Sequence, residues 1–199
     1  MIAQEVCKED PERFVSLTLL STIAGGPYSL YLFLLTLPTG IQLLVRANLT
    51  TNWKLRLKHF LNLLYPDSFL STTVVHPQTK QVFSNYEVLR KTMIRRAIEE
   101  KNKGMKPVNL STIIKQVLAV TTHHVTESEL KNIAKKLNGN VLVVTGDEDI
   151  LVHPKNSEKL NNALNCQFLS ISGAGHGAFE QSHEEINQAI EKLVRRSRL

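Results

Sequence analysis

The stretch Val141–Leu142–Val143–Val144–Thr145–Gly146–Asp147–Glu148–Asp149 carries the clearest structural signal in this sequence. Its first half is a continuous apolar run, typical of a parallel strand covered on both faces, and its second half is an acidic glycine turn. A second short apolar run, Cys166–Ile171, precedes Gly173–Ala174–Gly175–His176–Gly177, where glycines frame a histidine. Neighbouring parallel strands place their carboxyl ends at one edge of a sheet. We therefore expect Asp149 and His176 to meet there, with the carboxylate orienting the imidazole.

Helical patterns surround these two strands. Thr126–Glu129 fits a capping box and starts a helix that Asn138–Gly139 ends. Asn156–Leu164 is predicted to be a helix between the strands, and Ser182–Glu185 predicts a second capping box at the start of the last helix. Because helices and strands alternate, this region predicts right-handed crossovers and a parallel sheet.

The preceding residues divide into a short N-terminal segment and a long helical one. Met1–Lys8 has the pattern of the last turns of a helix, and Val15–Leu20 that of a buried strand. Farther on, we expect Tyr65–Gln81 to be irregular and Ser84–Lys103 to be a charged helix. Leu17–Val45 contains no charged side chain, but glycines and prolines divide it into pieces too short to span a membrane, so no stable span is expected.

Composition favours an ordinary globular protein. The 199 residues are 42% hydrophobic and 21% charged, with a formal net charge of +6 that indicates no particular partner. Cys7 and Cys166 are far apart and are expected to be reduced thiols. Since the first ten residues lack the pattern of a secretory signal, we expect a cytoplasmic location.

Three parts of the chain resemble the α/β-hydrolase superfamily in its C-terminal half. Val141–Asp149 resembles the strand and turn that carry the family's acid, and Ser172–Gly177 resembles the loop that carries its histidine. Met1–Glu5, Pro11–Arg13 and Leu17–Thr22 resemble the segment that follows the family's nucleophile elbow. The resemblance implies an α/β protein with an incomplete α/β-hydrolase fold, about three parallel C-terminal strands with flanking helices and a helical lid insertion.

The resemblance also implies a domain organisation and two site residues. Residues 1–26 and 121–199 would form the truncated core, and residues 27–120 the lid or cap. Asp149 and His176 would be the acid and the base of a catalytic triad. The sequence contains no G-x-S-x-G motif, and we expect it to begin just after the nucleophile elbow.

These features predict a hydrolase-like protein. Its ancestral reaction would be hydrolysis of an ester or a related small apolar substrate, and without a nucleophile it would be inactive alone. Neither a cofactor nor a metal is expected. The side chains expected to help line a hydrophobic pocket are Trp53, Phe60, Phe69 and the run Leu30–Leu37.

Two alternatives to a vestigial enzyme stay open. The chain could be a non-catalytic interaction module, because a Val15–Leu20 strand without its neighbour would expose an apolar edge for a partner or for self-association. It could also be a fragment of a longer active hydrolase, with Met1 an internal methionine. The DNA upstream of the start codon would distinguish these possibilities.

Other polar clusters are given simpler interpretations. The pair His123–His124 could line the pocket, but such pairs are more often exposed or cap a helix. Asp147, Glu148 and His153 are interpreted as solvated loop groups and not as a metal site. Few aromatic residues interleave the basic run from Lys91 to Lys106, so it is interpreted as a solvated helix face and no nucleic-acid partner is expected.

Overall fold

A computed structural model describes residues 1–25, 39–105 and 109–197 of the protein. The run Leu30–Leu37 therefore lies outside the described residues. Helices and strands alternate at the two ends of the chain, and the middle is mostly helical. In chain order the elements are α1 (Ile2–Glu9), a 3₁₀ turn (Pro11–Arg13), β1 (Leu17–Leu20), α2 (Thr39–Leu49), α3 (Trp53–Leu64), α4 (Asp67–Ser71), β2 (Thr73–Val75), β3 (Val82–Ser84), α5 (Asn85–Asn102), α6 (Leu110–Thr122), α7 (Glu127–Lys136), β4 (Val141–Gly146), α8 (Pro154–Leu164), β5 (Gln167–Ile171), α9 (Ala178–Gln181) and α10 (His183–Arg196).

The core is a three-stranded parallel sheet in the order β1-β4-β5. Leu17 pairs with Val141 at one end of the sheet, and Gly146 pairs with Ile171 at the other. Every residue of β4 is buried, as a central strand with helices on both faces requires. The prediction of a parallel α/β architecture is therefore confirmed.

Successive residues of β4 contribute to two separate hydrophobic clusters, because side chains alternate between the faces of a strand. Val141 and Val143 pack with β1, α7, α8 and Cys7. Leu142 and Val144 pack with Ile171 and the helices α9 and α10. This arrangement places helices on both sides of the sheet and leaves its carboxyl edge to the loops that follow β4 and β5.

Of the two predicted capping boxes, one is present and one is not. The Thr126 side chain accepts the Glu129 amide while Glu129 accepts the Thr126 amide, so the first prediction is confirmed. The prediction at Ser182 is wrong, because its side chain makes no capping bond. Ser182 is the C-cap of the preceding short helix α9, its amide donates to Ala178 O, and its φ of −132° and ψ of 43° are not the extended backbone that an N-cap needs.

The segment Tyr65–Gln81, expected to be irregular, contains more structure than its pattern indicates. It includes α4 and the first strand of a two-stranded antiparallel sheet with the register Thr73↔Ser84. Each strand has three residues and β2 is exposed throughout. Strands this short and exposed have no burial periodicity that a sequence pattern could reveal.

The apolar stretch Leu17–Val45 does not form a spanning helix in any part that the structure describes. No helix within residues 1–25, 39–105 and 109–197 is long and apolar enough to cross a membrane. The strand predicted from Val15 begins at Leu17, and Val15 is 59% exposed. The domain boundaries and the cytoplasmic location stay predictions.

Candidate active site

The loops that follow β4 and β5 bring together the two residues that the sequence places at the sheet edge. Because Gly146 and Ile171 are paired, the strands end side by side. Asp149 Oδ2 lies 2.9 Å from His176 Nδ1. The Asp149 side chain is fully buried, and the His176 side chain is 25% exposed. The expected contact is present, and the catalytic roles of the two residues stay a prediction.

Asp149 is held by backbone donors of its own loop. Its Oδ1 accepts the amides of Leu151 at 2.9 Å and Val152 at 2.8 Å, which leaves Oδ2 for His176. A carboxylate only accepts, so Nδ1 of the imidazole is the donor in this contact. In the neutral imidazole this contact assigns the proton to Nδ1 and leaves Nε2 with the lone pair that a general base needs.

Backbone contacts hold the two loops against each other. Asp147 Oδ1 accepts the Gly173 amide at 2.7 Å, and the Glu148 amide donates to Ala174 O at 2.9 Å. A Cβ atom on Gly146 would lie 2.5 Å from Gly175 O, so the loops approach too closely for any larger residue. Asp147 is exposed, as its interpretation as a solvated loop group requires, and it also anchors the histidine loop.

The remaining polar groups near Asp149 have local roles. His153 caps α8, with Nδ1 accepting the Lys155 amide at 3.3 Å, and Glu148 is exposed. Within the described parts of the chain, no group of three or more His, Cys, Asp or Glu residues is arranged to hold a metal ion.

Gln181 supports the histidine loop, and sequence reasoning missed it. Its Oε1 accepts the Gly175 amide at 2.9 Å, and its Nε2 donates to Gly173 O at 3.2 Å. One amide side chain therefore satisfies a backbone donor and a backbone acceptor in the part of the loop that precedes His176. No sequence signal could find this role, because it depends on how α9 folds back over the loop.

A second missed contribution comes from the helical middle of the chain. The Gly177 amide donates to Leu64 O at 2.8 Å, and the Tyr65 hydroxyl donates to Glu180 Oε2. Burial, followed by the bond to Glu180, raises the pKa of Tyr65 well above its ordinary value of 10.0. The hydroxyl therefore remains a donor at any physiological pH.

The neighbouring histidines do not belong to this site. His123 is the C-cap residue of α6 and is buried, with Nε2 3.1 Å from Gln4 Oε1 and Nδ1 3.0 Å from Glu5 Oε1. His124 is exposed and forms a bridge with Gly25. Of the two sequence interpretations, helix capping fits His123, and its bonds fasten α1 to the end of α6.

The expected apolar pocket stays a prediction. Trp53 is 54% exposed, and Phe69 packs against the Tyr65 ring at a centroid distance of 5.5 Å. The surface depressions formed by the described residues include one along 181–188 and one of about 370 Å³ between α7 and α8. Neither is lined by Trp53, Phe60 or Phe69.

The basic run on α5 is mostly exposed, as its interpretation as a solvated face requires. Arg95 is 72% exposed and lies 3.8 Å from Glu99, while Arg96 is 61% exposed. Lys91 lies 3.9 Å above the Phe83 ring, a cation–π contact within the chain. The absence of a nucleic-acid partner stays a prediction.

Comparison with solved structures identifies the fold. No protein-family model and no curated protein sequence matches the chain. The meta-cleavage product hydrolase CumD from Pseudomonas fluorescens IP01 matches with a TM-score of 0.62 at 15% identity, covering 98% of this chain and 61% of that one. MGS-M2, an α/β hydrolase enzyme from a Medee basin deep-sea metagenome library, matches with a TM-score of 0.64 at 18% identity, covering 97% and 60%. A thermophilic esterase from Thermogutta terrifontis matches with a TM-score of 0.60 at 17% identity, covering 98% and 61%.

The chain therefore has an incomplete α/β-hydrolase fold. It spans about 60% of the length of these three structures, and almost all of it is matched. At identities below 20% the likeness establishes the fold and not the reaction.

Proposed function

We propose that this chain supplies the acid–base half of a hydrolytic site that acts on an ester or a related small apolar substrate. The observation that carries the proposal is the 2.9 Å contact between the buried carboxylate of Asp149 and Nδ1 of the partly exposed His176. Two backbone amides fix the carboxylate, and its contact fixes the imidazole with Nε2 free to accept a proton.

In the proposed reaction His176 Nε2 takes the proton of the attacking group and later returns it to the leaving group. Asp149 stabilises the imidazolium that forms between these steps, because it is already positioned and desolvated. The sequence has no G-x-S-x-G motif, so a covalent nucleophile would have to come from polypeptide beyond these 199 residues. Residues 27–120 would form the lid over the substrate.

Replacement of His176 with alanine tests this proposal in the chain as it exists. We expect the purified protein to hydrolyse an activated ester such as p-nitrophenyl acetate only weakly, because imidazole can act on it without a triad nucleophile. His176→Ala is expected to lower the second-order rate constant by about 10-fold or more. His183→Ala is the matched control, because His183 is also close to this loop in sequence and exposed. Equal rates for the His176 variant and the unmodified chain would contradict triad-based catalysis.

A second candidate function, self-association, is supported by the outer edge of β1, which pairs with no strand among residues 1–25, 39–105 and 109–197. The amides of Leu17 and Ser21 donate hydrogen bonds to carbonyl groups of β4 or the residue just before it. Since successive amides of a strand point in opposite directions, the Thr18 and Leu20 amides point away from the sheet. Leu20 is 40% exposed. We propose that two copies of the chain can pair through this edge.

Proline at position 18 would test edge pairing. Thr18→Pro removes an outward amide without removing a bond to β4, so we expect it to convert dimers to monomers by light scattering. Thr18→Val keeps the amide and is the control. A monomeric, cooperatively melting unmodified chain would contradict self-association.

A further inference from the structure

The two glycines that flank His176 both contact the corner between α3 and α4. The Gly177 amide donates to Leu64 O at 2.8 Å. On the other side of the imidazole, a Cβ atom on Gly175 would lie 2.5 Å from Leu64 O and 2.9 Å from Pro66 Cδ. The histidine loop is therefore in van der Waals contact with this corner at both ends, and each approach depends on the lack of a side chain.

Tyr65, at the centre of the corner, makes the most specific of these contacts. Tyr65 is 3% exposed, and a Cβ atom on Gly177 would lie 2.8 Å from its Cζ. The ring covers Gly177, while the hydroxyl reaches past it to donate to Glu180 Oε2. Tyr65 thus contacts the chain on the carboxyl side of His176 both by packing and by a hydrogen bond to a charged acceptor.

Glu180 connects the same point to a third segment. Its Oε1 lies 3.7 Å from Arg96 Nη1 on α5, and its side chain is 33% exposed. The Tyr65 ring is supported in turn by Phe69 and the rest of a small apolar cluster that includes Leu61 and Leu70. The Tyr65 side chain is therefore held from the side of α3 and α4, and it cannot move independently of that segment.

We propose that Tyr65 is a positioning residue that holds the His176 loop at hydrogen-bonding distance from Asp149, so that α3 and α4 control the geometry of the pair. Tyr65 acts through Gly177 and Glu180. The position of His176 would therefore be coupled to that of the α3–α4 corner, and a ligand or partner that displaced the corner would shift His176. This inference rests on the proposed role of His176, but its consequences can be measured without turnover.

Hydrogen exchange followed by NMR tests the inference in the full chain. The two signals to measure are the His176 Nδ1 proton, which faces Asp149, and the Gly177 amide proton, which faces Leu64. Tyr65→Phe keeps the ring and removes only the bond to Glu180, and it is expected to accelerate exchange of both protons by about 10-fold. Tyr86→Phe is the matched control, because Tyr86 packs partly buried against the same cluster. The control is expected to leave both rates unchanged.

The exchange rate of the Val143 amide, in the buried central strand, distinguishes a positioning role of Tyr65 from a general loss of stability. If Tyr65 positions the loop, exchange at Val143 stays unchanged in Tyr65→Phe while the two loop protons accelerate. Equal acceleration at Val143, or loop rates within twofold of the unmodified chain, would overturn the inference. If His176→Ala hydrolysed the ester as fast as the unmodified chain, the proposed function would be contradicted. That result would not affect the exchange rates, which test the positioning role of Tyr65 separately.

A double-mutant cycle tests the ring contact itself. Gly177→Ala has an ordinary backbone φ of −82°, so its cost comes from overlap with the Tyr65 ring and not from the main chain. We expect Gly177→Ala to accelerate Nδ1 exchange in the unmodified chain and to have less than half that effect when combined with Tyr65→Leu. If Tyr65→Leu does not fold, Tyr65→Phe and Glu180→Ala provide the same test through the hydroxyl. Additive effects in the cycle, or unchanged exchange in either of these variants, would overturn the inference.

Discussion

Gly146→Ala is expected to lower the free energy of unfolding by more than about 3 kcal/mol, the largest single effect that we predict. A Cβ atom at this position would lie 2.5 Å from Gly175 O and 2.6 Å from the Ala174 carbonyl carbon. Both are backbone atoms, so no side-chain rotation can relieve the overlap. The two loops would have to separate, and the Asp149–His176 contact would be lost with the stability. Chemical denaturation followed by circular dichroism measures the change.

Gly173→Ala is the matched control for this prediction. Gly173 lies in the same pair of loops, but no atom is within 4 Å of the position that its Cβ would occupy, and its φ is +68°. Alanine there is strained only by the left-handed backbone, so we expect a loss of about 1 kcal/mol. Equal stability of Gly146→Ala and Gly173→Ala would contradict the claim that close approach of the loops makes glycine necessary at position 146.

Asp149→Ala is expected to cost about 3 kcal/mol of unfolding free energy. The fully buried carboxylate accepts hydrogen bonds from Leu151, Val152 and His176, and alanine leaves these partly buried donors without that acceptor. Glu148→Ala, one residue away and exposed, should change stability by less than about 0.5 kcal/mol. Thermal and chemical denaturation of both variants measure the difference, and similar losses would contradict the role given to Asp149.

Asp149→Asn separates the structural role of this residue from its effect on the imidazole. An amide oxygen can still accept the Leu151 and Val152 amides, so we expect less than half of the stability loss seen with alanine. The amide nitrogen would then face His176 Nδ1, and a donor in that place favours the tautomer with the proton on Nε2. Nitrogen-15 NMR of the imidazole detects this change of tautomer. An unchanged tautomer would show that Asp149 does not orient His176.

The parallel core could be predicted because its signal is local. Val141–Thr145 is apolar on both faces, and helical patterns with a capping box precede it, so strand, burial and connection all follow from nearby residues. The position of Asp149 and His176 at one sheet edge followed from the same alternation. The second capping box failed because Ser182 is the C-cap of α9, a short helix that the sequence pattern did not reveal.

The supports of the histidine loop could not be predicted in this way. Gln181 reaches Gly173 and Gly175 only because α9 turns back over the loop, and Tyr65 is more than 100 positions away from Gly177 in sequence. A glutamine near a helix end and a tyrosine before a proline carry no pattern that indicates such contacts. Their roles arise from long-range packing, in which partners are chosen by shape and distance.

The amino-acid pattern was thus sufficient for the class of fold and for the pair Asp149 and His176, because hydrophobic periodicity and glycine turns act over a few residues. The folded chain was needed to show what holds that pair in place. The two loops approach closely at Gly146, Gln181 bonds to the histidine loop, and Tyr65 bonds to Glu180. Each of these joins segments that are distant along the chain. Such contacts exist only after the helices and strands have packed, so no local pattern of residues encodes them.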